Sequence, residues 1–139
     1  MKNQSPIPDS ISPNQDNPMT TTTQTTTLTP KQLERATCKL RFDAHWMRAG
    51  AEVSAMQFKY CGNDSSQKRK MRARDARREF KQAAALYAQA AITCQAWIDA
   101  DNSKGVRWFY RFLPAAFSAR SESCAAAAKE VFAASKLIK

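Results

Sequence analysis

The sequence predicts an all-α fold: a long antiparallel helical hairpin, extended by two shorter helices into a small helical bundle. Three observations carry that expectation. Apolar residues recur at four-and-three spacing over two long stretches, which is the seam of one helix packed along another. A short polar turn, Gly62-Asn63-Asp64, separates the two stretches and forces them antiparallel. No segment alternates with period two. Even Val106 to Phe112, rich in strand-forming residues, places its aromatics consecutively.

Residues 1–28 read as a tail ahead of a basic helical domain over 29–139. The tail holds Pro6, Pro8, Pro13 and Pro18, then a threonine tract from Thr20 to Thr27. It has too little apolar surface to offset the entropy of ordering, so the sequence predicts a disordered arm. Met19 lies between the two parts and offers a second place for translation to start.

The first helix is predicted over 30–61. Thr29 is a good N-cap, Pro30 suits the first helical position, and Gln32 completes a capping box. Its seam is Leu33, Thr37, Leu40, Ala44, Met47, Ala51, Ser54, Phe58 and Cys61. A second stripe follows Phe42, Trp46, Ala49, Val53, Met56 and Tyr60, and two stripes imply more than one neighbour. The shorter helices are expected to pack there. Left uncovered, the stripe would suit a partner or self-association.

The second helix is predicted over 65–100, with Ala73, Ala76, Phe80, Ala83, Tyr87, Ala90, Cys94 and Trp97 as its seam. Alanines alternating with large rings let two helices approach closely at some levels and interlock at others. A third helix is expected over 103–117, kinked or restarted at Pro114, and a fourth over 121–138. On the fourth, Cys124, Ala128, Val131 or Phe132, and Ser135 share a narrow face. Trp108, Phe109, Tyr110 and Phe112 are expected to close the core, which the many alanines leave short of bulk. The other readings are bases stacked beside Arg107 and Arg111, or a membrane interface.

Charge supplies the functional signal. The chain of 139 residues carries a net charge of +10, and beyond residue 29 it holds 21 basic and 10 acidic groups. Seven of the eleven residues from Lys68 to Arg78 are basic: Lys68, Arg69, Lys70, Arg72, Arg74, Arg77 and Arg78. Asp64, Asp75 and Glu79 neutralise only part of them. Arginine predominates, and its planar fork suits phosphate and carboxylate. Lys104, Arg107 and Arg111 form a second basic set on one helical face. The expected function is therefore non-enzymatic binding of nucleic acid, DNA or RNA, through a basic helix. The alternative is an adaptor or inhibitor, of the kind mobile elements and viruses carry, docking on an acidic surface of a larger protein assembly.

Catalytic and metal chemistry find little support. Asp43 and His45 are two apart on a helix and diverge. One histidine and four widely spaced cysteines, Cys38, Cys61, Cys94 and Cys124, do not form a zinc set. With three glycines, the chain has no phosphate-cradling loop, so neither a catalytic residue nor a cofactor is expected. No secretory signal or membrane-length apolar run appears, so a cytoplasmic protein with reduced, buried thiols is expected, with no membrane partner.

Overall fold

The computed structural model describes residues 28–138. It contains four helices: α1 (Pro30–Tyr60), α2 (Ser66–Ala100), α3 (Lys104–Tyr110) and α4 (Leu113–Ser135). The fold is the expected all-α hairpin bundle, with no strand among the described residues. The expected tail lies outside the described residues, except Leu28, which packs against the core.

Local chemistry sets the helix ends. The Thr29 hydroxyl accepts from the Gln32 N–H at 3.2 Å, and the Gln32 side chain accepts from the Thr29 N–H at 2.9 Å. This capping box satisfies two donors that the first turn leaves orphaned. Ser65 caps α2 through the Lys68 N–H, and Ser103 caps α3 through the Val106 N–H. Asp64, in the hairpin turn, pairs with Arg72 at 2.7 Å. That arginine also donates to Gln57 at 2.6 Å, so one guanidinium ties the turn to both arms of the hairpin.

The two predicted seams form the hairpin interface. Leu33, Thr37, Ala44, Ala51 and Phe58 of α1 are buried, as are all eight predicted positions of α2. The Thr37 hydroxyl spends its donor on the Leu33 carbonyl, which makes its burial tolerable.

Three expectations about the C-terminal part are corrected. The third helix ends at Tyr110 and the fourth begins at Leu113, eight residues before Ser121. Pro114 falls in the first turn of α4, where a missing N–H costs nothing, so of the two expected outcomes, a kink or a restart, the chain takes the restart. Next, α4 does not pack on the second stripe of α1. It runs antiparallel along α2, with Phe117, Cys124, Ala128 and Val131 buried, and Ser121 donates to the Ala84 carbonyl at 2.7 Å. Tyr87, fully buried, stacks on Phe117 with ring centres 6.4 Å apart. Finally, Trp108, Phe109, Tyr110 and Phe112 do not close the core. They remain 41–79 % exposed, and only Tyr110 leans inward, onto Trp97.

The long helix α2 is thus the shared member, with α1 along one side and α4 along the other. All four thiols are free, but only Cys94 and Cys124 are buried; Cys38 is exposed and Cys61 half-buried. Burial pushes the Cys94 thiol up to about 11.

Candidate nucleic-acid interface

The seven cations of the basic run do not act as one surface. Packing α2 between two helices divides them. Arg69 turns inward, with its guanidinium 5.5 Å from the centre of the Phe58 ring and its Nε shielded from solvent. Arg72 is committed to Asp64 and Gln57, and Arg78 pairs with Asp75 at 3.1 Å. Lys68, Lys70 and Arg74 are exposed and make no ion pair among the described residues.

On the side of α2 that faces α4, the charges converge. Two adjoining clefts of about 270 Å³ each run along the α2–α4 seam. Lys70, Arg74, Arg77 and Lys81 of α2 line one wall, and Lys129 and Lys136 of α4 the other. The remaining lining residues are alanines, Ser135 and Phe132, so no carboxylate lines either cleft. The α2 wall from Lys70 to Lys81 spans about 16 Å.

Phe132 joins the two clefts. Its ring, 38 % exposed, lies under the Arg77 guanidinium at 4.0 Å and the Lys136 amine at 4.4 Å. The negative face of an aromatic ring attracts a cation by ~0.5–1 kcal/mol at such a site. The ring therefore holds two mutually repelling charges at the groove floor, where bulk solvent would let them separate.

The second basic set lies elsewhere. Lys104, Arg107 and Arg111 sit on and just after α3, at the opposite end of α2 from the basic run. From Arg78 to Ala100 alone, the helix rises roughly 33 Å. Around them stand the exposed aromatics: Arg111 lies 3.6 Å from the Trp108 ring centre and 4.6 Å from that of Phe112. The result is a small cationic-aromatic patch, separate from the groove.

Lys81, Lys129 and Lys136 were not anticipated from the sequence. The available signal was Lys129, Phe132 and Lys136, which share one face of α4 by their three-and-four spacing. Of the groups of His, Cys, Asp and Glu among the described residues, none could hold a metal ion. No helix among them is long and apolar enough to cross a membrane. No protein-family model matches the chain, and neither a curated protein nor a solved structure matches it.

Proposed function

We propose that this protein binds nucleic acid through the α2–α4 groove, without catalysing a reaction. The observation that supports this reading is the convergence of six cations on a groove whose lining contains no carboxylate. A polyphosphate backbone offers one negative charge per ~3.4 Å of each strand, so the α2 wall matches a run of several phosphates. Release of condensed counterions would then supply most of the affinity, with little dependence on base sequence. Within this reading, Lys70, Arg74, Arg77, Lys81, Lys129 and Lys136 contact phosphate. Arg69 and Arg72 shape the hairpin tip instead.

Fluorescence anisotropy with short single-stranded and duplex oligonucleotides tests this. Engagement of about six phosphates implies an affinity loss on the order of 10³-fold between 50 and 200 mM salt. Joint reversal of Arg74, Arg77, Lys81 and Lys129 to Glu should abolish binding while the helical circular-dichroism signal persists. Binding that survives this reversal, or that ignores salt, rejects the groove. A pull-down that retains discrete proteins after nuclease treatment, together with absent oligonucleotide binding, would point to an acidic protein surface as the partner.

A further inference from the structure

The outer face of α1 carries a second helix-packing seam that nothing in the described chain covers. Two residues along a helix turn it by roughly 200°, so Ala51 points into the core while Val53 points away from it. Ala51 is fully buried and Val53 is 53 % exposed. The same holds along the whole stripe. Phe42 is 61 % exposed, Trp46 64 %, Met56 58 % and Tyr60 71 %, with Ala49 also exposed. Solvent-facing helix surfaces are normally polar. Here five large apolar side chains and one alanine keep four-and-three spacing over about 27 Å, the pattern of a coiled-coil seam.

The spacing has a further property. The intervals between the six positions are four, three, four, three and four, and they read the same in both directions. A two-fold axis at the level of residue 51 therefore superposes the seam on itself. It sets Phe42 against the partner's Tyr60, Trp46 against the partner's Met56, and Ala49 against the partner's Val53. Large side chains meet at the ends and small ones at the middle, which lets the two helices come close at the axis. We infer that a second copy of this chain docks on the outer face of α1, with the two α1 helices antiparallel, to form a symmetric dimer.

Area and charge are consistent with this occupant. Whole aromatic side chains present about 150–250 Å², so the exposed fractions of Phe42, Trp46 and Tyr60 sum to roughly 300–490 Å² per copy, and Val53, Met56 and Ala49 add to that. Standard interfaces bury ~800 Å² per partner. Isologous pairing about a two-fold axis is the commonest symmetry of soluble oligomers. One unfavourable contact lies beside the axis, where Glu52 meets the partner's Glu52. Arg48, 3.4 Å from Glu52 on the same helix, offsets that repulsion. In this arrangement α2 lies on the face of α1 opposite the interface, against Ala44, Ala51 and Phe58. The dimer would present two basic grooves, and the proposal does not depend on what those grooves bind.

Sedimentation equilibrium of the full chain, nuclease-treated and in high salt so that nucleic acid cannot bridge copies, reads the result directly. The expected mass is twice the 15.6 kDa of the chain. Trp46→Glu and Met56→Lys, each alone, place a charge in the seam and should give monomers with unchanged helicity. The double variant W46E/M56K should restore the dimer, because antiparallel pairing sets each new carboxylate against the partner's new amine. Parallel pairing would instead oppose like charges. A wild-type chain that sediments as a monomer at about 100 μM, far above a micromolar Kd, overturns the proposal. So does a dimer that either single variant leaves intact, or one that the double variant fails to restore. A monomeric wild-type mass overturns the proposal even if a variant fails to fold.

Discussion

The hydroxyl of Tyr87, on the buried face of α2, meets Nδ1 of His45 on α1. The rings also lie edge to face, with centres 5.5 Å apart. With the phenol as donor, the imidazole accepts at Nδ1 and is neutral. Desolvation, then Arg120, Arg41 and Arg48, lower the His45 pKa from its ordinary 6.5. The folded chain thus binds fewer protons at this site than the unfolded chain. Stability is full above about pH 6.5 and is lost as pH falls through the lowered folded value. Urea midpoints should therefore drop between about pH 7.5 and pH 5.5, and His45→Gln should flatten that dependence.

Phe80 and Met47 both belong to the hairpin seams but differ in burial. Phe80 is 5 % exposed, whereas Met47 is only half-buried. Phe80→Ala should cost about 3–5 kcal/mol of unfolding free energy, and Met47→Ala no more than ~2 kcal/mol. Chemical denaturation of both variants separates them; equal losses would contradict the placement of Met47.

The thiols should react in two classes. Cys38 is exposed, so a water-soluble thiol reagent should modify it rapidly in the native protein. Cys94 and Cys124 are buried, and burial raises the pKa of both thiols, so little reactive thiolate is present. Mass spectrometry should find these two protected until denaturant is added.

The two basic regions should be separable in binding. An oligonucleotide of roughly 8 nucleotides can fill the groove without reaching the α3 patch. Reversing Lys104, Arg107 and Arg111 to Glu should then leave its affinity nearly unchanged. Reversing Lys129 and Lys136 should weaken it at least tenfold. The opposite order, measured by anisotropy, would move the binding surface to α3.

Phe132→Ala tests the groove floor. Without the ring, Arg77 and Lys136 lose the surface that holds them, so affinity should fall several-fold although no positive charge is removed. An unchanged titration would mean that the two cations need no such support.

The hairpin was legible because seam spacing is a local property of each helix. Ala73, Ala76, Phe80, Ala83, Tyr87, Ala90, Cys94 and Trp97 announce their burial by spacing alone, and all are buried. The docking of α4 was not legible. Its choice depends on which of two neighbours offers the better fit, and Phe117 against Tyr87 decides for α2. The same choice leaves the α1 stripe open. The basic run could be read as charge but not as a surface. Turning Arg69 inward onto Phe58, and drawing in Lys129 and Lys136, are consequences of tertiary packing. Pro114 illustrates a further limit: one residue type both ends and begins helices, and only the chain on either side decides which.

The central position of α2 has a kinetic consequence. Its two extensive interfaces are with α1, reached through a five-residue turn, and with α4, reached after the short α3 segment. Each partner is thus close to α2 along the chain, α1 just before it and α4 shortly after, so little loop entropy is lost before native contacts form. Relative contact order is accordingly low, and bundles of this kind refold within microseconds to milliseconds. Stopped-flow refolding should be complete within roughly that window, with α1 and α4 able to join α2 in either order.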